Sequence, residues 1–157
     1  MRYWLMKSEP DEVSIDDVAA ARGKTVAWFG VRNYQARNYM RDDMQVGDPL
    51  LFYHSSCAKP GIAGICKVAQ RAFPDATQFD PKSPYFDPKS SAANPRWQNV
   101  AVGFVRKTRL LALDELRHHP QLADMLILRR GNRLSITPVS AAEWSHIQDL
   151  LTDPDHA

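Results

Sequence analysis

The sequence has little net charge, few cysteines and no long hydrophobic run. Its 157 residues include 20 basic and 18 acidic side chains, so the formal net charge is only +2. That balance excludes a protein that coats nucleic acid through bulk charge. No stretch reaches the ~18–20 apolar residues of a membrane span, and residues 1–10 lack the basic and apolar regions of a signal peptide. We expect no membrane contact.

Motifs for metals, cofactors and common catalytic centres are also missing. Cys57 and Cys66 have no ligand-like spacing around them, and His118 and His119 lack further ligands at zinc spacing. The glycine-rich motifs that bind nucleotides and the Gly-x-Ser-x-Gly nucleophile motif do not occur. We therefore expect no metal, no cofactor, reduced thiols and a cytoplasmic protein.

The composition is that of one globular domain. Apolar residues make up 44% of the chain and charged residues 24%, and about 150 residues is the usual size of a domain. We assign residues 1–151 to a single domain and residues 152–157 to a frayed polar tail, and we favour a monomer.

The pattern of short strands and helices predicts an α+β fold. The strands are predicted at residues 3–7, 25–29, 50–54, 62–69, 97–108 and 133–139. Helices are predicted after Ser14 and Asn33, over 113–128 with a break at Pro120, and after Ser140. The pairs Ser14 with Asp17 and Ser140 with Glu143 predict capping boxes at two of these helix starts. Long crossover helices do not alternate regularly with these strands, so a doubly wound sheet is disfavoured. A small mixed barrel or curled sheet with flanking helices fits better.

A proline-rich segment interrupts this pattern at residues 74–95. It holds five of the 11 prolines and repeats Asp-Pro-Lys-Ser at residues 80–83 and 87–90. Because Tyr85, Phe86 and Trp97 lie in or beside it, we expect an ordered loop held to the fold by its aromatic rings. Loops of this length are usually functional or disordered.

Basic residues are separated from acidic ones along the chain. Arginine outnumbers lysine 13 to 7, and three stretches, at residues 29–41, 88–113 and 125–142, contain basic but no acidic residues. If the fold brings these stretches together, they form a basic face despite the small net charge. Otherwise each is an ordinary solvated surface, and the sequence alone leaves both possibilities open.

The segment Trp28–Arg37 combines aromatic, basic and helix-capping residues. Gly30 permits a sharp turn, and Asn33 begins a helix whose first amides suit an anion or a base edge. Trp28 provides a flat face for stacking, while Arg32 and Arg37 are able to hold phosphates. The simpler alternative is a core tryptophan with surface arginines.

Polar residues also follow two predicted strands. Lys7, Ser8 and Glu9 precede Pro10 after the first strand, and His54 and Ser55 end a later one. Such residues line a cleft or form a surface turn. His54 is a possible acid or base, although no partner is placed near it by sequence.

The sequence resembles the EVE-domain family in the Trp28–Arg37 signature. Lys7–Pro10, Tyr53–Ser55, Asp87–Lys89, Pro95–Trp97, Arg133–Ser135 and Pro138–Val139 resemble other landmarks of that family, in the same order. The resemblance spans residues 2–151. It implies a PUA-like fold, a small mixed β-barrel flanked by helices, and binding of nucleic acids with modified bases, notably modified cytosines in DNA, with RNA also proposed.

The same resemblance implies a cleft between barrel and helices. It would be lined by Lys7, Ser8, Glu9, Trp28, Arg32, Asn33, His54, Ser55 and Ser135. Our hypothesis is a non-catalytic reader that takes one flipped base into this cleft. Trp28 would stack on the base or wall it, and Asn33, Ser8 and the local backbone would bond its edge. Arg32, Arg37, Lys7 and Arg133 would hold phosphates. The loop carrying Tyr85, Phe86 and Trp97 would close over the cleft or contact the strand.

Two other functions remain open at this point. One is an enzyme that processes a modified nucleoside through His54 and Ser55, or through Cys57 or Glu9. The other is a module that binds a peptide with its aromatic loop. The enzyme is disfavoured because the sequence shows no recognisable set of nucleophile, base and orienting residue.

Overall fold

Six strands and four α-helices form the regular structure of residues 1–152, which the computed structural model describes. The strands are β1 (Tyr3–Ser8), β2 (Thr25–Ala27), β3 (Pro49–His54), β4 (Gly61–Pro74), β5 (Gln98–Ala112) and β6 (Ile136–Val139). The helices are α1 (Ile15–Ala20), α2 (Tyr34–Asn38), α3 (Leu113–Arg117) and α4 (Ala141–Thr152). A π-helical turn, Tyr39–Asp43, continues α2. Within these residues, no helix has the length and apolar character needed to cross a membrane, and most of the predicted tail lies outside them.

All six strands belong to one mixed sheet in the order β2-β5-β4-β3-β1-β6. β1 runs parallel to β3, and the other neighbouring pairs are antiparallel. The predicted barrel is not closed, because β2 and β6 are each paired on one side only among the described residues. Both edge strands are short, and Pro138 in β6 has no amide hydrogen to offer a further strand.

The two faces of the sheet are both covered, which explains the continuous apolar runs in β1 and β3. Trp4 and Met6 contribute to a core beneath α1 and α2, whereas Leu5, between them in sequence, joins a second core with α3 and α4. In β3, Phe52 and Leu51 divide in the same way. Strands buried on both faces lose the alternation of polar and apolar residues.

Side-chain caps fix where the helices begin. Ser14 accepts a hydrogen bond from the Asp17 amide, and the Asp17 carboxylate accepts one from Ser14, as predicted. Asn33 caps α2 through the Ala36 amide at 3.0 Å. Ser140 and Glu143 form the predicted reciprocal pair before α4.

Three predicted elements are shorter than expected, and the first is the strand predicted over 25–29, which ends at Ala27. The helix predicted over 113–128 is broken at Pro120, as expected, because proline disfavours helical geometry at the residue before it. Its α-helical part ends earlier, at Arg117, and two 3₁₀ turns follow. The last strand begins at Ile136 rather than at residue 133. Asn132 holds the preceding chain as a loop, donating to the Leu126 carbonyl and accepting from the Leu134 amide.

Candidate functional site

One open cleft of about 400 Å³ collects most of the polar residues singled out in the sequence. It lies where the two ends of the open sheet approach each other, since β2 and the residues just before β6 both line it. The lining residues are Lys7, Ser8, Glu9, Glu12, Val13, Val26, Ala27, Trp28, Phe29, Gly30, Val31, Arg32, Ser55, Ser56, Tyr85, Arg133 and Ser135.

The structure brings together nine of the predicted site residues and leaves five outside the wall. The nine are Lys7, Ser8, Glu9, Trp28, Arg32, Ser55, Tyr85, Arg133 and Ser135. The five absent from the lining are Asn33, Arg37, His54, Phe86 and Trp97.

The parallel pairing of β1 and β3 positions the first group of cleft residues. Ser8 is in register with His54, and the Ser55 amide donates to the Ser8 carbonyl at 2.9 Å. On the other side of β1, the Lys7 amide donates to the Ser135 carbonyl at 2.8 Å. Three segments distant in sequence therefore meet at one end of the sheet.

Trp28 forms a wall of the cleft rather than a free stacking platform. Its side chain is only 7% exposed and packs edge-on against Phe52, with ring centroids 5.4 Å apart. The Trp28 amide also donates to the Val100 carbonyl at 2.8 Å. The indole is therefore part of the core and presents little surface to a ligand.

Arg32 is held by the protein itself, which differs from the predicted phosphate contact. Its Nε and Nη2 donate to the Tyr85 carbonyl, Nη1 donates to the Val31 carbonyl and the Asp75 carboxylate, and Nη2 also donates to the Thr77 hydroxyl. All five guanidinium hydrogens are thus used. Asp75 is completely buried, whereas the Arg32 side chain keeps 22% of its surface exposed, so the ion pair joins a buried carboxylate to a partly buried guanidinium.

The second half of the Trp28–Arg37 signature fastens the proline-rich loop instead of facing the cleft. Tyr34 stacks on Trp97 with centroids 4.8 Å apart, and the Arg37 guanidinium lies 4.6 Å from the Tyr34 ring. Arg37 also donates to the Arg96 carbonyl at 2.8 Å. The side-chain oxygen of Asn33 is occupied as the helix cap. The predicted contacts of Asn33 with a base and of Arg37 with phosphate have no support in this geometry.

His54 faces α1, not the cleft. Its Nε2 accepts a hydrogen bond from the Ile15 amide at 3.1 Å, so the ring is neutral there. Burial lowers the pKa of the imidazole, in agreement with that role. The predicted acid or base is therefore a helix-capping group.

The proline-rich loop is ordered, as predicted, and its order comes from two buried polar residues. Asp75 accepts from the Gly30 amide as well as from Arg32. Gln78, also fully buried, donates to the Trp97 carbonyl and accepts from the Trp97 amide. Such fully bonded polar groups specify one loop conformation.

The repeated tetrapeptide forms the same turn twice. The Asp80 carboxylate accepts from the Lys82 amide, and the Asp87 carboxylate accepts from the Lys89 amide, both at 2.9 Å. Asp87 additionally accepts from the Trp97 indole at 2.7 Å, and this bond is the main reason that the pKa of its carboxyl is lowered.

Tyr85 is the residue of this loop that reaches the cleft. Its hydroxyl donates to the Glu12 carboxylate, 2.7 and 2.8 Å from the two oxygens, and burial raises its pKa to about 12. Its ring covers Gly30, where an added Cβ would lie 2.8 Å from the tyrosine Cζ. Phe86 and Trp97 instead lie away from the cleft lining.

The cleft contains charges of both signs. Lys7 and Arg133 provide cations, and burial lowers the pKa of the Lys7 ammonium. Within residues 1–152, neither side chain has a hydrogen-bond or ion-pair partner. Glu9 and Glu12 provide carboxylates, of which only Glu12 is engaged, by Tyr85.

Several lining residues were missed in the sequence. Glu12, Val13, Val26, Ala27 and Ser56 line the cleft without having been singled out, and Phe29 and Val31 line it as members of the Trp28–Arg37 signature that had no role of their own. Most are neighbours of residues that were singled out. The apolar ones carry no chemical signature that distinguishes them from core residues.

A family model described as the EVE domain matches residues 2–150. The chain belongs to the EVE-domain family. Human thymocyte nuclear protein 1 is 42% identical to this EVE-domain chain, over 94% of the chain and 73% of the human protein. A Pseudomonas syringae structure, protein PSPTO5229, superposes with a TM-score of 0.90 at 47% identity, covering 94% of this chain and 98% of that one.

A further EVE-domain neighbour was solved with nucleic acid bound. The crystal structure of human THYN1 in complex with 5-methylcytosine-containing DNA has a TM-score of 0.90 and 40% identity. The match covers 98% of this chain and 99% of the human one. These similarities confirm the predicted family and its PUA-like α+β fold.

Proposed function

We propose that this protein is a non-catalytic reader of modified cytosine in DNA and that the cleft receives the base. The observation that carries the proposal is the near-complete structural match to human THYN1, which was crystallised with 5-methylcytosine-containing DNA. In this chain the cleft of about 400 Å³ is the cavity that collects the family landmarks.

A single flipped nucleotide suits the size and lining of this cleft. Flipping costs a few kcal/mol and is easiest in single-stranded or weakened sites. Phe29, together with the small exposed part of Trp28, provides an apolar wall against which a C5 methyl group would be sheltered from water. Lys7, Ser55 and Ser135 provide donors for the acceptor atoms on the edge of the base.

We propose that phosphate is bound by Arg133, by the loop that carries it, and by Lys7. Arg129, Arg130 and Arg133 are all exposed, and no acidic side chain of the described residues pairs with them. Gly131, at φ +80°, and Asn132 hold the loop in shape. This small cationic footprint agrees with a net charge near zero.

The geometry favours binding over catalysis. His54 caps α1 and is therefore not placed as a general base beside Ser55, which an enzyme acting through His54 and Ser55 needs. A peptide-binding loop is also disfavoured, because Trp97 is buried and Tyr34 stacks on it. Binding to RNA, a cytoplasmic location and a monomeric state stay predictions.

Recovery of the bound nucleosides tests this proposal. The purified protein is incubated with fragmented genomic DNA and, separately, with RNA, and the retained nucleosides are quantified by mass spectrometry. We expect enrichment of modified cytosine in the DNA arm, with the same nucleosides recovered chemically unchanged. Equal retention of modified and unmodified DNA, or loss of the modified nucleoside to a product, contradicts the proposal.

A further inference from the structure

A protein that recognises 5-methylcytosine must reject thymine, because thymine carries the same C5 methyl group. The two bases differ at position 4, where cytosine has an amino group that donates and thymine has a carbonyl that accepts. They also differ at N3, which accepts in cytosine and carries a hydrogen in thymine. An apolar pocket for the methyl group cannot make this distinction, so polar groups must make it: an acceptor facing position 4, a donor facing N3, or both.

The cleft has two carboxylates that are able to serve as that acceptor, and one is already engaged. The Tyr85 hydroxyl donates its single hydrogen to the Glu12 carboxylate and lies 2.8 and 2.7 Å from the two oxygens. Glu9 also lines the cleft, and its carboxylate has no hydrogen-bond or ion-pair partner within residues 1–152. Glu12 is thus held in place by Tyr85 and keeps only part of its acceptor capacity, whereas all of the acceptor capacity of Glu9 is available to a ligand.

The backbone of Glu9 is held in place at the end of β1. Its carbonyl accepts from the amides of Glu12 and Val13, both at 2.9 Å. The preceding residue is fixed as well, since the Ser8 hydroxyl donates to the Val13 carbonyl at 2.6 Å. The side chain therefore projects from a fixed turn instead of a loose loop.

We propose that Glu9 is the specificity-determining residue of the cleft and accepts a hydrogen bond from the N4 amino group of the bound cytosine. This inference rests on the proposed function. Lys7 and Ser135, in the same cleft, supply donors for N3 and O2. Thymine then meets two mismatches, because O4 faces a carboxylate and N3–H faces donors.

The test uses four oligonucleotides that differ at one position, which is cytosine, 5-methylcytosine, uracil or thymine. Their affinities separate the contribution of the amino group from that of the methyl group. In Glu9→Gln the side-chain amide is able to donate to O4, so the preference for 5-methylcytosine over thymine should fall about tenfold. The preference for cytosine over uracil should fall by the same factor. The affinity ratios that report the methyl group, 5-methylcytosine to cytosine and thymine to uracil, should stay unchanged.

Glu12→Gln is the matched control, because it removes the same charge from the same cleft. Its amide oxygen still accepts from Tyr85, and its preference for cytosine bases should stay within about twofold of wild type. Glu9→Asp keeps an acceptor and should retain the preference for 5-methylcytosine over thymine. Thermal unfolding of every variant verifies that it is folded.

The possible outcomes separate this inference from the proposed function. If Glu9→Gln binds DNA with the wild-type preference, or Glu12→Gln loses it equally, Glu9 does not read the amino group and the inference is overturned. If the wild-type protein does not prefer 5-methylcytosine over unmodified cytosine, the proposed function itself fails. If the preference for 5-methylcytosine over thymine falls in Glu9→Gln and not in Glu12→Gln, the result supports Glu9 as the residue that reads the amino group.

Discussion

Replacing Arg32 should damage the fold rather than remove a contact with DNA. Arg32→Ala leaves the fully buried Asp75 carboxylate without its cation. Removing one partner of a buried ion pair costs about 3–5 kcal/mol. Because Asp75 still accepts from Gly30 and Thr77, we expect the lower end, about 3 kcal/mol. For a domain of this size that corresponds to a fall in Tm of roughly 6–12 °C.

Arg133→Ala is the matched comparison, since Arg133 lines the same cleft but is exposed and unpaired within residues 1–152. Its free energy of unfolding should change by less than about 0.5 kcal/mol. Loss of one phosphate contact should reduce the slope of log affinity against log salt by about 0.7–0.9. Urea denaturation and DNA titrations at several salt concentrations measure both quantities. The reasoning is refuted if Arg32→Ala keeps its stability and instead lowers the salt slope.

Two further predictions concern the backbone beside the cleft and the pH dependence of stability. Gly30→Ala should destabilise the protein by about 1–2 kcal/mol, because residue 30 has a positive φ. It should also weaken DNA binding, because the new Cβ displaces Tyr85. Gly47→Ala is the control, since it has a similar positive φ but open space around the new Cβ; unchanged stability in Gly30→Ala, or equal DNA binding by the two variants, contradicts the prediction. Because folding lowers the pKa of His54, its contribution to stability should be complete above the unfolded pKa of 6.5 and decline as pH falls below that value. Urea denaturation at pH 5 and pH 7.5 should show a smaller decline in His54→Gln, and an equal decline would contradict the capping role.

The elements that local chemistry controls were predictable from the sequence. Ser14, Asn33 and Ser140 mark helix starts because their side chains bond amides three residues away. The apolar runs of β1 and β3 were equally visible. The break of the 113–128 helix at Pro120 was predictable as well, because proline interrupts the hydrogen-bonded ladder. Apolar spacing did not show that the residues after the break form two 3₁₀ turns instead of α-helix.

The roles of individual site residues were less predictable than the location of the site. Lys7, Ser8, Ser55 and Ser135 were expected in one cleft, and the pairing of β1 with β3 and β6 brings them there. The sequence does not show that a buried Asp75 lies opposite Arg32, because the two are 43 positions apart.

The structure places His54, Asn33 and Arg37 outside the cleft lining for a related reason. Each has chemistry suited to a ligand, but each makes hydrogen bonds within the protein. His54 bonds α1, Asn33 bonds α2, and Arg37 bonds the proline-rich loop. Residue type indicates what a group is able to bond, whereas only the tertiary structure shows which partner already occupies it. Arg133 and Glu9 stand out because they have no such partner among residues 1–152.

The central claim, that one modified base occupies the cleft, is tested most directly by filling the cleft. Ser55→Trp places a bulky ring in it, whereas Cys57→Trp, two residues away and exposed, leaves it open. Affinities are measured for one DNA sequence with and without a single 5-methylcytosine. We predict that Ser55→Trp loses the preference for methylated DNA and keeps weak, salt-dependent binding to both, while Cys57→Trp behaves as wild type. Retention of the full preference in a folded Ser55→Trp protein would contradict the account.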